Sequence, residues 1–534
     1  MKIRLFEILV IAFLTPIVSP PAFSTNLSLK EKIAQLLIIS SDASTISKTT
    51  GPISKCLGGV QIQWGYYSLN KTRQITTTLQ KLAENSSCKI PLFVAVDYEG
   101  GSVYAPDTLG LMNLLTNMML GAARDEKETA ALFFLAGKEL KRAGINMTFG
   151  PVLDVNTNRL NPIIGIRSIS DNPQLVWKIG EAISNGFRAS DIITTVKHFP
   201  GHGATSWDSH KTLPVVSISK ENLFKNHIFP FRKAIETGAP AVMTAHVLYK
   251  SLDRRKCATL SKKIISGILK NELSFKGVVI TDSLDMKAIT MKYRPEEAVL
   301  KALTAGADIL LIGKGDFAKT VLTIEKEALK NPEVRNRVEN AFRKILALKK
   351  KSKLRFTSPQ TSDFDMAYVD IARKLAEKAI TMVKNDGIIP LGKNREIMIV
   401  LFSPQRFDSS TLLLYKDIIR NGYKVRQYKF GISPSASDID KIVRYAGKSD
   451  ILIVGSFQWS STQNKKQIKA IKKILQLGKP SIMLSLMSPY DILNYEKFKA
   501  VIALYGITDF SMEAVAKVLT GRVAAEGKLP VLLK

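Results

Sequence analysis

The chain is poor in cysteine, histidine and acidic residues: 3 Cys, 5 His and 46 Asp+Glu in 534 residues. Three cysteines exclude a dense disulfide framework and a zinc-ribbon array. The acidic deficit, set against 77 Lys+Arg, leaves a formal net charge of +31 with no acidic block to balance it. The sequence also lacks an RNP-type aromatic pattern, a paired-cysteine finger and a basic zipper, so no nucleic-acid reading motif accompanies the charge. That charge fits a lysine-rich solvated surface or an anionic partner. A long apolar run is missing too. The stretch from Leu5 to Val18 is cut by Pro16, and Pro20 and Pro21 follow, well short of the ~20 residues a membrane span needs. With Lys2 and Arg4 ahead and Ala22-Phe23-Ser24 behind, residues 1–24 read as a cleaved secretory signal. The expected location is outside the cytoplasm: periplasmic, extracellular or cell-wall associated. In such an oxidising compartment Cys56 and Cys88 can pair and leave Cys257 free, although three buried thiols fit the sequence equally well.

What is present is ordinary globular material, 45% hydrophobic and 23% charged, long enough for more than one domain. Short β-rich runs recur at QLLIIS (35–40), GVQIQW (59–64), LFVAV (92–96), NMTFGPVL (146–153), IITTV (192–196), AVMTA (241–245), GVVIT (277–281) and DILLIG (308–313). Helical patterns from Glu126 to Gly144, Gln174 to Ala189 and Pro295 to Ala305 lie between several of them. Eight strands alternating with helices predict a (β/α)8 barrel over residues 25–350, though a doubly wound sheet would show the same local pattern. The polar stretch 351–364 then reads as a linker. Five more runs, at 395–402, 423–430, 450–456, 480–486 and 500–506, predict a smaller α/β sandwich over 365–534.

All five histidines fall between His198 and His246, centred on KHFPGHGATSWDSH (197–210). Its glycines and proline make it a loop able to carry His210 over a pocket, and Asp208 can bond one ring nitrogen and set the basicity of the other. Asp282 follows the run GVVIT, where a carboxylate can attack a sugar anomeric carbon or simply cap the next helix. Asp97 ends another run in FVAVDYEGG, and Asp154, Arg167, Lys197, His198, His202 and His246 add polar groups at the same barrel end. Reading His198, His202, Asp208 and His210 as a metal set meets an obstacle, because Phe199-Pro200-Gly201 breaks any helix that would align them. No metal or cofactor is expected.

KHFPGHG followed by DSH, AVMTAHVLY with ATLS after it, GVVITDSLDM and VDYEGG together resemble glycoside hydrolase family 3, and within it the NagZ-type β-N-acetylglucosaminidases. ARKLAEKAITMVKNDGIIPL (372–391) and VLTGRVAAEGKLPV (518–531) resemble that family's second domain. The resemblance implies a retaining exo-hydrolase with Asp282 as nucleophile and a His210–Asp208 acid/base dyad. It also implies that Asp97, Arg167, Lys197 and His198 bind the terminal sugar. The expected substrate is β-linked N-acetylglucosamine from peptidoglycan-derived fragments, with no nucleic acid among the partners. A neutral imidazole suits the acid/base role, since it would not repel an anionic attacking group. Four positions depart from the family pattern: Tyr98, Ser102, Ala105 and Ala204. Ser102 and Ala105 stand where the family carries basic residues, so a reshaped sugar subsite is expected. A histidine acid/base tolerates phosphate as acceptor and so keeps open a β-hexosaminide phosphorylase, alongside a broader β-glucosidase on the same scaffold, and the missing basic residues keep open an inactive peptidoglycan-binding module.

Overall fold

The computed structural model describes residues 26–42, 44–63, 68–101, 110–356, 365–458, 464–494 and 496–533. The expected signal 1–24, Ser102, Ala105 and residues 357–364 of the expected linker lie outside the described residues.

Eight parallel strands form the first sheet: β1 (Leu37–Ser41), β2 (Gly59–Ile62), β3 (Phe93–Val96), β4 (Met147–Thr148), β5 (Ile193–Phe199), β6 (Ala241–Thr244), β7 (Val278–Thr281) and β8 (Leu310–Leu311). They run in the order β8-β1-β2-β3-β4-β5-β6-β7. A parallel bridge from Ile280 to Ile309 joins the two ends, so the sheet is a barrel and not a doubly wound layer. All eight strands are buried along their length, as expected when helices cover a parallel sheet outside and side chains fill it inside.

β4 and β8, of two residues each, fall furthest short of their apolar runs. β4 stops after Thr148 because Gly150-Pro151 follows, and a proline has no N–H for the ladder. Beyond it the chain stays beside β5, with a bridge from Val152 to Lys197 and Leu153 N–H donating to Lys197 O at 2.7 Å. Covering helices begin and end where their termini are satisfied. Glu126–Arg142 is capped by Asp125, carries Glu126 and Glu128 in its first turn and Lys141 and Arg142 in its last, all favourable to the helix dipole. Pro173–Ala189 opens with proline behind an Asn172 cap.

The second sheet contains β9 (Thr381–Asn385), β10 (Glu396–Phe402), β11 (Lys424–Phe430), β12 (Ile451–Ser456), β13 (Ser481–Ser485) and β14 (Ala500–Ala503). Their order is β9-β14-β13-β12-β10-β11. The five expected strands are parallel to one another, and β9 adds an antiparallel edge on β14. β9 escaped the sequence reading because it is half exposed and so lacks the continuous apolar signal of its neighbours.

One face of the second sheet, with Ile397, Ile399 and Ile453, joins the core of the barrel, and the other, with Met398, Val400 and Val454, packs a separate core. Across the boundary between the two domains the Thr116 hydroxyl donates to Tyr505 O at 2.8 Å, and Lys528 N–H donates to Ala122 O at 3.1 Å. Cys56 and Cys88 form a disulfide, and Cys257 is free and buried. Among the described residues no helix is long and apolar enough to cross a membrane.

Candidate active site

A cavity of about 370 Å³ opens at the carboxyl ends of the barrel strands, the end at which barrel loops collect functional groups. Its wall brings together Asp97, Arg167, Lys197, His198, His202, His210 and Asp282 from separate parts of the sequence.

Beyond β3 the side chains alternate, so Asp97 and Glu99 share one face while Tyr98 turns to the other. Gly100, at φ +90°, turns the chain there, and a Cβ on it would meet Leu115 O at 2.3 Å. Lys197 Nζ sits 2.6 Å from both Asp97 Oδ1 and Glu99 Oε1. Arg167 grips Glu99 with two bonds, Nε to Oε2 and Nη2 to Oε1, each 2.8 Å. Gln61 Nε2 donates to Asp97 Oδ2 at 2.7 Å. Glu99, Lys197 and Arg167 are buried, and the set of two cations and two anions is formally neutral. Burial alone would push the Glu99 carboxyl up, but Arg167 and Lys197 hold it far below the ordinary carboxylate range. Burial would likewise lower Lys197, yet Asp97 and Glu99 keep it protonated.

The β5 loop is tied down from beneath. Fully buried Asp154 accepts from His198 Nδ1 at 2.7 Å, from His198 N–H at 3.2 Å and from His202 N–H at 2.6 Å. Burial opposes its charge, and His198 and His202 outweigh that and lower its pKa. Gly203 lets the loop lie against the neighbouring chain, where a Cβ would meet Val155 O at 1.8 Å. His202 has both ring nitrogens engaged, with Thr205 Oγ1 at 3.1 Å and Ser209 Oγ at 3.1 Å. Past this anchor the loop rises to His210, which is exposed. Asp208 Oδ1 lies 2.9 Å from His210 Nδ1 and accepts His210 N–H at 2.9 Å, and Nε2 has no hydrogen-bond partner among the described residues.

Asp282 stands opposite, just beyond β7, accepting Ser283 N–H at 2.7 Å. Burial pushes its carboxyl up, but His246, His198, the Ser283 N–H and His210 together hold it below the ordinary value. It is therefore a carboxylate at neutral pH. His246 lies fully buried behind it, with Nε2 2.9 Å from Ser283 O and Nδ1 2.8 Å from Thr259 Oγ1. A carbonyl only accepts, so Nε2 carries a proton.

The two sequence models of glycosyl hydrolase family 3 match this chain, the N-terminal domain over residues 28–348 and the C-terminal domain over 380–534. The chain belongs to glycosyl hydrolase family 3. It is 30% identical over 517 residues to β-hexosaminidase A of Pseudoalteromonas piscicida, covering 86% of each chain. It is 23% identical over 496 residues to a β-N-acetylglucosaminidase/β-glucosidase of Cellulomonas fimi, covering 85% of each. The solved structure of a family 3 β-N-acetylglucosaminidase from Paenibacillus sp. superimposes with a TM-score of 0.84 at 30% identity, over 95% of this chain and 99% of that one.

Within this family 3 barrel two expected site residues, Asp154 and His246, stand apart from the cavity, as does Tyr98, a departure from the family pattern. Asp154 is not a rim group: it lies fully buried under the loop and orients His198 and His202. His246 does not line the cavity and instead braces the turn at Asp282. Tyr98 does not shape a sugar subsite, because strand alternation buries it against Phe187 with its hydroxyl on Met112 O at 2.8 Å. Ala204 is also outside the cavity wall. The four residues read as a possible metal set bring no three ligand atoms to a common point. Among the described residues the only such group is Glu31, Cys56 and Cys88, where both sulfurs are in the disulfide.

The cavity also holds Gln61, Gln63, Ser283 and Asp285, with Glu99 behind Lys197, and none was singled out from sequence. A signal existed for Glu99: it sits two residues from Asp97, hence on the same face of an extended segment. Gln61 and Gln63 likewise interrupt a buried strand run at alternate positions. Among the described residues no side chain of the second sheet lines the cavity.

The buried histidines set an acid limit to stability. Burial lowers both His202 and His227 to about 4, against an unfolded value of about 6.5. Between those limits the unfolded chain binds more protons than the folded one. Stability is therefore full above about pH 6.5 and falls toward pH 4, by up to ~1.4 kcal/mol per pH unit for each histidine. Urea titrations at pH 7 and pH 5 check this: the midpoint drops at pH 5, and it drops less in His227→Asn.

Proposed function

We propose that this glycoside hydrolase, of the β-hexosaminidase type, is a retaining exo-β-N-acetylglucosaminidase. The observation that carries the reading is one cavity holding an ionised Asp282 and a His210 whose Nδ1 is taken by Asp208 while Nε2 stays available. In the first step Asp282 attacks the anomeric carbon, the glycosidic C–O bond breaks, and protonated His210 gives its Nε2 proton to the departing oxygen. In the second, neutral His210 takes a proton from water, which attacks the same carbon and releases Asp282. Two inversions return the β configuration. Asp208 fixes the ring and stabilises its cationic form, and His246 keeps the Asp282 turn in place.

The terminal sugar is held by Asp97, Arg167, Lys197 and His198 in this reading. Lys197 and Arg167 present N–H donors around a neutral network, which suits hydroxyl and amide recognition over recognition of an ion. A cavity near the small end of ligand pockets suits release of single end residues. Peptidoglycan fragments are the proposed source, supported by the export signal expected at residues 1–24 and the charge of +31.

Chromogenic 4-nitrophenyl β-N-acetylglucosaminide tests the reading, with the β-glucoside and added phosphate as comparators. The N-acetylglucosaminide is expected to be cleaved fastest, with free sugar and no sugar 1-phosphate released. A wild-type protein inert on every β-glycoside tried would sink the hydrolase reading and favour a binding module. His210→Ala is expected to lose about 10²–10⁴ in kcat on a glycoside with a poor leaving group. Its first step with 4-nitrophenol is expected to be slowed much less, because that group departs without a proton. Equal losses on both leaving groups would remove His210 as the acid.

A further inference from the structure

Between Tyr249 and Lys263 the chain leaves the catalytic end of the barrel and returns to it. The two ends of this excursion are fastened beside Asp282's support: Ala258 N–H donates to Val247 O at 2.9 Å, and Thr259 Oγ1 lies 2.8 Å from His246 Nδ1. Outside that fastening is an open hollow of about 620 Å³, lined by Lys250, Ser251, Leu252, Asp253, Arg254, Arg255, Lys256, Lys262 and Lys263. All six cations are exposed. Lys262 is paired with Glu333 at 2.7 Å, and no carboxylate lies within ion-pair distance of the other five among the described residues.

The one acid of the hollow is used internally. Asp253 Oδ1 accepts Arg255 N–H at 2.9 Å and Lys256 N–H at 3.2 Å, while Oδ2 accepts the Ser261 hydroxyl at 2.6 Å. These bonds staple residue 253 to residue 261 and hold the cations splayed outward. Keeping like charges this close costs stability, and folding alone does not ask for it.

We propose that this hollow is a docking site for an acidic glycan, a sugar polymer bearing negative groups, held beside the catalytic cavity. The hollow has no aromatic side chain, and single-stranded nucleic acid is normally gripped by stacking its bases. Its one apolar residue, Leu252, is half-buried, so there is no apolar face to enter a lipid surface. What remains is a wet, cationic, hydrogen-bonding trough, which suits a hydrophilic polyanion. Its attachment to the segment that braces His246 places such a polymer next to a site that acts on sugars. This surface goes beyond the hydrolytic reading; the choice of a sugar polymer rests on the chain being a glycoside hydrolase, not on which β-glycoside it cleaves.

Binding of the full chain to polygalacturonate tests the proposal, with neutral dextran, duplex DNA and vesicles of anionic phospholipid as comparators. The wild type is expected to bind polygalacturonate, not dextran, and to lose on the order of ten-fold in affinity between 50 and 200 mM salt as screening rises. Arg254→Ser/Arg255→Ser/Lys256→Ser is expected to weaken binding at least ten-fold. Lys465→Ser/Lys466→Ser/Lys469→Ser removes the same charge from an exposed helix of the second domain and is expected to change it less than two-fold. Both variants are expected to cleave a small neutral glycoside at the wild-type rate. Equal weakening in the two variants would reduce the effect to net charge and overturn the site. So would unchanged binding in the first variant, or tighter binding of DNA or vesicles than of the glycan through these three residues.

Discussion

Asp282→Ala is expected to lower kcat/KM by about 10⁴-fold or more on any β-glycoside substrate, the scale of loss for a removed nucleophile. The loss should fall on kcat, since the carboxylate acts on the anomeric carbon in the transition state and contributes little to holding the ground state. Folding should survive: among the described residues the Asp282 side chain accepts only the neighbouring Ser283 N–H. Azide supplies a sharper check. The vacated face admits it, the C1–N bond forms as the C1–O bond breaks, and His210 still protonates the departing oxygen. The product is then the α-glycosyl azide, with one inversion instead of two. If Asp282→Ala keeps a rate within ten-fold of wild type, the nucleophile lies elsewhere.

Glu99→Gln is expected to cost about 3–5 kcal/mol in unfolding free energy, because it leaves Arg167 and Lys197 buried with too little negative charge. Arg167 loses both bonds to a carboxylate, and Lys197 keeps only Asp97. Activity falls as well, since these two cations form the wall proposed to hold the sugar. The wild type should show the same dependence through pH. The folded-state pKa of Glu99 is depressed far below the unfolded value of about 4.3. Its stabilisation is therefore complete above that value and is lost as pH falls below it. Denaturant titrations of both proteins check the size. A midpoint for Glu99→Gln equal to wild type would mean that solvent reaches the pair. Lys197→Met/Glu99→Gln should recover part of the loss, because it removes a buried charge along with its partner.

Much of this was legible in the chain. β7 announces itself as GVVIT because a strand buried on both faces must be apolar throughout, and Asp282 beyond it marks the strand's end. The cluster of all five histidines between positions 198 and 246 pointed to the loop that does reach the cavity. Glu99 was passed over because a carboxylate two residues from another reads as rim polarity until Lys197, about a hundred positions later, is seen between them. From sequence Asp154 reads as a rim group for the opposite reason. It directly follows the apolar run 146–153, but β4 ends at Thr148, and depth below the loop is not a property of spacing. β9 was hidden by its half-exposed edge position.

The chain's own periodicity determined that strands and helices alternate, that a second α/β unit follows the first, and that the chemistry-bearing residues stand at strand ends. Those are local facts, set by which residues must leave water along a single element. Barrel closure, the bonding of Glu99 to Arg167 and Lys197, the sharing of one cavity by Asp282 and His210, and the retreat of Tyr98, Asp154 and His246 behind its wall were decided only by the tertiary structure. Each depends on contacts between segments tens to hundreds of residues apart, and burial, which makes a paired charge permanent and an unpaired one costly, exists only once those segments have met.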